Sequence, residues 1–241
     1  MKVLRTRRKL SERCQMVGLT TASDSFRFEI PSEDLKGPLN LAETILSGQT
    51  SKPEWLRNGE SFTGVEIVDG VPVKYMVNQI GDPGNYALHV VAIPSNTSGA
   101  CATSLREVLQ RGFGLEDDLN LFYRKFAEED KVLSLTFKNL RGLRLMRAAN
   151  LFESLICSIL SQNNSVRLWN RSARLMMKHY GREAFFMDGS REFLFPTPEA
   201  LSRLNPRSLR SATSLGYRAK PVVEVSRMLV RGELDLETLV R

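Results

Sequence analysis

The stretch Leu151–Gly181 constrains this chain more than any other. Apolar residues at 151, 152, 155, 156, 159 and 160 recur at helical spacing, which predicts a helix with one buried face. The pattern stops at Gln162-Asn163-Asn164, three amides with no apolar partner. Ser165 follows, placed so that its hydroxyl can accept from an orphan amide and start a second helix. That helix carries Arg167, Arg171, Arg174 and Lys178 around Trp169 and Met176, and Gly181 is its expected stop. A buried helix thus delivers an amide-rich turn, and a basic helix continues from it. Amides that bond base edges beside cations that hold phosphates are what a nucleic-acid reader needs. An ordinary helical hairpin with a polar turn would leave the same pattern.

Charge separates the chain into unlike parts. Residues 138–241 hold 18 Lys and Arg against 9 Asp and Glu, a net +9, whereas residues 1–137 hold 16 against 18, a net −2. The basic part suggests a polyanion partner on one side of the molecule, although a merely solvated surface is the competing explanation. The 241 residues suffice for one large domain or two smaller ones, and no apolar run is long enough to span a bilayer, so no membrane partner is expected. Cys14, Cys101 and Cys157 are an odd number without C-x-x-C spacing. They argue for a reducing compartment and against a disulfide framework, a zinc site or an iron–sulfur cluster. His89 and His179 lack the neighbours of a metal site or a catalytic triad, so neither metal nor cofactor is expected. The basic residues of Met1–Arg13 have no apolar region behind them, which speaks against secretion. The expected location is the cytoplasm of a prokaryote, or the nucleus of a eukaryote.

Read in order, residues 1–25 form a basic arm. Residues 26–99 are expected to form a small antiparallel sheet domain, and 100–241 a helical one. Phe26, Phe28 and Ile30 alternate with Arg27 and Glu29 as a half-buried strand. Leu39–Leu46 reads as a short helix ended by Ser47-Gly48-Gln49-Thr50. Val65 and Ile67 point one way, Asp69-Gly70 supplies a hairpin turn, and Val71, Val73, Tyr75 and Val77 continue the alternation. Pro72 lacks a ladder donor, which predicts an edge strand or a bulge. Another strand runs from Tyr86 to Ile93. Past Pro94–Gly99 the period becomes 3.6, with helices expected at 103–112, 116–128, 130–139, 197–204, 206–214 and 218–231 besides the central pair. The fold class is therefore α+β.

A second motif lies at Leu215-Gly216-Tyr217-Arg218-Ala219-Lys220-Pro221. Gly216 permits a sharp turn and Pro221 suits the start of the next helix. Between them an aromatic ring, which could wedge into a base stack, stands beside an arginine and a lysine. A tyrosine packed on the domain with two surface cations is the plainer alternative.

Taken together, Leu151–Ser165, Leu215–Lys220 and Ser47–Thr50 resemble the helix-hairpin-helix (HhH-GPD) DNA glycosylases, most closely the 8-oxoguanine branch. The first segment is similar to that branch's helix and asparagine turn. The second matches its Leu-Gly-Tyr-Arg-Ala-Arg/Lys, and the third its Ser-Gly-Gln-Ser near the start of a sheet domain akin to the TATA-binding-protein fold. The likeness runs from about Phe26 to Arg241. It implies a base excision repair enzyme, a DNA glycosylase and abasic-site lyase, acting on oxidised purines in duplex DNA by flipping the damaged base out of the stack. It implies that Asn163 fills the gap left in the duplex and Asn164 supports that turn. Tyr217 would wedge beside the orphaned base and Arg218 contact it, with Arg167 and Lys220 as further DNA contacts. Gly48 would offer its carbonyl to the lesion, with Gln49 beside it. The family's arginine that reads the opposite cytosine falls at Leu168, one position from Arg167, so a preference for cytosine does not carry over.

One departure is larger. The family's Leu-Pro-Gly-Val-Gly hairpin, its catalytic lysine and the aspartate of its Val-Asp-Val/His segment have no counterpart in these 241 residues. Lys138, Lys178 and Lys220 sit where surface cations are expected, so no catalytic residue is assigned. The missing groups are expected beyond residue 241, on one reading in a separate C-terminal fragment. The alternative is a catalytically inactive damaged-DNA-binding protein that keeps only the wedge.

Overall fold

A computed structural model of the chain describes residues 25–49, 56–58, 61–96, 101–126, 130–236 and 238. The basic arm lies outside these except for Ser25, as does Thr50 of the Ser-Gly-Gln-Thr stretch. The fold is α+β, as the change of period predicts. It divides into two compact units, one of Met1–Gln49, Trp55–Ala149 and Phe186–Ser190, the other of Thr50–Glu54, Asn150–Phe185 and Arg191–Arg241.

In the first unit, β1 (Phe26–Pro31), β2 (Leu56–Asn58), β3 (Ser61–Val68), β4 (Val71–Asp82) and β5 (Asn85–Pro94) form an antiparallel sheet ordered β1-β5-β4-β3-β2. Asp69 (φ 51°) and Gly70 (φ 81°) are both left-handed, as a tight two-residue turn between right-twisted strands requires. That turn pairs Val68 with Val71, so Glu66 faces Val73, Gly64 faces Tyr75 and Phe62 faces Val77. Cross-strand partners share a face, and the buried face of β3 is therefore Phe62, Gly64, Glu66 and Val68. Val65 and Ile67, which do point one way as the alternation predicts, lie on the other face, with Ile67 53% exposed. Gly64 has a steric reason: a Cβ there would stand 2.6 Å from the Tyr75 hydroxyl.

Pro72 also departs from expectation, because β4 is a central strand. The ladder with β5 begins only at Val73–Pro94, and the Pro72 carbonyl accepts from Ser95 N at 2.9 Å. The missing donor thus falls opposite Ser95, just past the last paired residue of β5.

The helices α1 (Leu41–Leu46), α2 (Ala102–Gly112), α3 (Leu119–Phe126) and α4 (Lys131–Asn139) complete this unit. Asn40 caps α1, its Oδ1 accepting from Glu43 N at 3.1 Å. Leu105 and Leu109 of α2, with Phe113 and Leu115 after it, join Ile30, Val73, Tyr75 and Leu88 in one core. In α3 and α4 no residue is fully buried, and Phe122, Tyr123, Phe126 and Phe137 pack ring against ring. Phe122, Tyr123 and Phe137 border a cavity of about 440 Å³.

Among the described residues Arg144 is the largest fully buried side chain, 2% exposed. Its Nε donates to Pro38 O (3.0 Å), one terminal nitrogen to Gly114 O (2.7 Å) and Asp117 O (3.0 Å), the other to Lys36 O (3.2 Å) and Gly37 O (3.0 Å). Removal from water pulls its pKa below the ordinary arginine value, and nearby Tyr86 and Asp117 oppose that shift. Five carbonyls from two loop segments, 36–38 and 114–117, converge on one cation, so their negative ends stand in for lost hydration.

The second unit holds α5 (Leu151–Ser161), α6 (Val166–Tyr180), a short hairpin of β6 (Glu183–Phe185) and β7 (Arg191–Phe193), α7 (Pro198–Ser202), α8 (Pro206–Thr213) and α9 (Ala219–Val230). Ile156, Leu160, Ala173, Met176, Leu209 and Val222 centre its own core. Gly181 ends α6, but at φ −78°, not in the left-handed cap its position suggests. Its requirement is close approach: a Cβ would lie 2.1 Å from Leu194 O and 2.4 Å from Met177 O. Cys157 is buried, and Cys101 is disulfide-bonded, contrary to the reduced state that the cysteine count favours. Among the described residues no helix is long and apolar enough to cross a membrane, and no three His, Cys, Asp or Glu gather as metal ligands.

Candidate nucleic-acid interface

Helix α5 is amphipathic enough to bury Phe152, Ile156, Ile159 and Leu160, and Asn150 caps its start by accepting from Glu153 N at 3.1 Å. At its other end the chain must turn sharply into α6. Asn163 makes that turn in the left-handed region (φ 46°), which asparagine tolerates better than other non-glycine residues. Asn164 closes the end of α5, its Nδ2 donating to Leu160 O (3.1 Å) and its backbone amide to Ser161 O (3.2 Å). Ser165 caps α6 as its position predicts, its Oγ accepting from Leu168 N at 3.4 Å. Asn163 is left exposed, and its carboxamide makes no hydrogen bond among the described residues.

The second motif is shaped by two successive left-handed residues, Ser214 (φ 59°) and Gly216 (φ 61°), around buried Leu215. Gly216–Arg218 forms a single 3-10 turn leading straight into α9. Anchored by Leu215 and Ala219, this turn holds Tyr217 out, 61% exposed.

Arg218 joins the two turns. Its Nε donates to Gln162 O at 2.9 Å, and one terminal nitrogen reaches both Gln162 O and Asn163 O, the latter at 3.0 Å. The same guanidinium lies over the Tyr217 ring, 4.5 Å from its centroid. Asn163 and Tyr217, 54 positions apart, therefore flank one cation. Arg167 and Leu168 are exposed on the first turn of α6, Leu168 to 50%. Lys220 is exposed and pairs loosely with Glu224 at 3.7 Å. Residue spacing singled out both turns, but not Gln162 as the acceptor that ties them together. Backbone carbonyls carry no sequence signal.

Gly48 and Gln49 belong to the first unit. Gly48 is exposed at φ 81°, with nothing within 4 Å of where a Cβ would stand. Gln49 is engaged at both ends of its amide: Nε2 donates to Arg144 O (2.7 Å) and Oε1 accepts from Met146 N (3.1 Å). It braces the 144–146 segment in the manner of a strand partner. Every described lysine is partly or fully exposed, Lys138, Lys178 and Lys220 included.

Residues 29–155 match the family model described as 8-oxoguanine DNA glycosylase, N-terminal domain, and residues 156–239 that of the HhH-GPD superfamily base excision DNA repair protein. A probable N-glycosylase/DNA lyase of Methanothermobacter thermautotrophicus is 33% identical over 225 residues, 84% of this chain and 67% of its own. The structure of MBOgg1 in complex with a low-affinity DNA ligand superposes with a TM-score of 0.70 at 22% identity, over 92% of this chain and 68% of that one. The 8-oxoguanine glycosylase/lyase of Clostridium acetobutylicum, in complex with duplex DNA containing cytosine opposite 8-oxoguanine, does so at 0.66 and 20% identity, with coverage of 92% and 68%. These two superpositions establish the fold, and the chain spans about two thirds of the length of all three proteins.

Proposed function

Because the chain belongs to the 8-oxoguanine glycosylase branch of the HhH-GPD superfamily of base excision DNA repair proteins, we propose that it is the duplex-opening part of a base excision repair DNA glycosylase and abasic-site lyase. Its substrate is duplex DNA carrying an oxidised purine of the 8-oxoguanine kind. The observation that carries this reading is the Arg218 fork, whose one guanidinium bonds the backbone of exposed Asn163 and lies over the ring of exposed Tyr217.

A base under chemical attack must leave the stack, at a cost of a few kcal/mol, and side chains inserted into the gap offset part of it. Asn163 offers an unengaged amide to the space the base vacates. Tyr217 offers a ring to stack or wedge beside the unpaired partner. Arg167 and Lys220 supply charge for the phosphates on either side. In the first unit, the open, left-handed Gly48 leaves its backbone free for close approach by the extruded base. Gln49 contributes by holding the 144–146 segment next to it. The family's sugar-attacking lysine and its aspartate are assigned to none of the described residues. This fits the exposure of every described lysine, since a neutral nucleophilic lysine needs partial desolvation.

The test is binding of 8-oxoguanine duplex against intact duplex over a salt series. Asn163→Ala and Tyr217→Ala are each expected to lower the preference for damaged duplex about tenfold, in line with the worth of one stacked or inserted group. The slope of log affinity against log salt should stay as in the unaltered chain, because neither residue neutralises a phosphate. If both variants keep the full preference, the wedge assignment is wrong.

A further inference from the structure

We propose that Arg218 is a positioning residue that locks Asn163 and Tyr217 into one preassembled wedge before DNA arrives. The inference rests on the duplex-opening reading above and deepens it.

The two carbonyls that Arg218 grips, those of Gln162 and Asn163, belong to the peptide groups on either side of the Asn163 Cα. Holding both fixes the two soft torsions of that residue at once. This matters because Asn163 sits at φ 46°, a left-handed conformation that asparagine tolerates but that its surroundings must still favour over the extended alternatives. The carbonyls also lie just past the last turn of α5, where unpaired oxygens gather partial negative charge and favour a cation. The same group lies over the Tyr217 ring, 4.5 Å from its centroid, which restrains where the ring points. A planar fork can grip and stack simultaneously; a lysine ammonium has the same charge but neither the plane nor the fork. With Nε and one terminal nitrogen committed to protein oxygens, Arg218 serves DNA through geometry and not as a phosphate contact.

The experiment uses the 241-residue chain with Arg218→Lys and Arg218→Ala. Without DNA, amide hydrogen exchange is read at Asn164 and Arg218, whose N–H groups bond to Ser161 O and Leu215 O at 3.2 Å each. Exchange there should quicken about tenfold in both variants, as loss of charge-assisted hydrogen bonds implies. Exchange in the middle of α6 and α9 should stay unchanged, which shows that the unit remains folded. With DNA, Asn163→Ala and Tyr217→Ala should be non-additive when Arg218 is present and additive in the Arg218→Lys background. The salt slope should be the same in all Arg218 variants.

Protection retained with Arg218→Lys overturns the proposal, because charge alone would then suffice. A salt slope lowered by about one phosphate contact in Arg218→Ala also overturns it. Undiminished lesion preference in Asn163→Ala and Tyr217→Ala overturns the duplex-opening reading, and the purpose of the clamp with it. Diminished preference with unchanged exchange in both Arg218 variants overturns the clamp alone.

Discussion

Gly48 and Gly142 have nearly the same backbone angle, φ 81° and 86°, in opposite surroundings. A Cβ at Gly48 meets nothing within 4 Å, whereas one at Gly142 would stand 2.5 Å from Asn40 N and 2.7 Å from Leu39 C. Gly48→Ala is expected to cost only the left-handed penalty, roughly 1–2 kcal/mol. Gly142→Ala adds overpacking against backbone that cannot rotate away, roughly 1–3 kcal/mol more. Urea denaturation of the two variants measures the difference, and equal losses would contradict the steric account. Arg144→Leu should be costlier, about 3–5 kcal/mol, since it strands buried carbonyls that share one donor. Nothing in the Gly-Leu-Arg-Leu stretch around Arg144 distinguishes it from a surface arginine. Its acceptors come from positions 36–38, 114 and 117, and only the folded chain brings those together.

At the scale of elements, local chemistry was the better guide. Ser165 caps α6 and Asn164 closes α5, because a cap depends on residues within four positions of it. The β3–β4 hairpin shows where local reading fails. Alternation says that one face of a strand is buried, but the turn register decides which, and the two-residue turn selected Phe62 and Val68 over Val65 and Ile67. The turn over Phe186–Ser190 carries a pH prediction. The Ser190 hydroxyl (2.5 Å) chiefly holds the Asp188 carboxyl below the usual carboxylate range, the Ser190 amide (2.9 Å) and Lys74 (3.3 Å) assist, and partial burial opposes them. The folded pKa is thus below the unfolded one. The stabilisation is complete above the unfolded value near 3.8 and is lost as pH falls through the lower folded value. The Ser190 amide resonance should therefore titrate below pH 3.8, and Asp188→Asn should abolish that titration. A midpoint at or above 3.8 would sink the assignment.

Over the whole molecule, two separate apolar cores support two separate sets of candidate residues. The excess positive charge of residues 138–241 is expected to make DNA binding steeply salt-dependent, with a slope of about −0.9 for each duplex phosphate neutralised. The 241-residue chain mixed with lesion duplex and borohydride should give no covalent adduct, since each described lysine is partly or fully exposed and a nucleophilic lysine needs a desolvated site. A trapped adduct would place the nucleophile within these residues after all.

From the sequence alone came the α+β class, most element positions, the amide turn and the Gly-Tyr-Arg turn. All of these follow from residues a few positions apart, where periodicity, caps and glycine geometry operate. Tertiary structure alone decided which face of β3 is buried, why Gly64 and Gly181 must be glycine, and where Arg144 finds its acceptors. It alone showed that the guanidinium of Arg218 reaches back to residues 162 and 163. Those facts depend on backbone groups brought together from distant positions, and every residue type offers the same carbonyl.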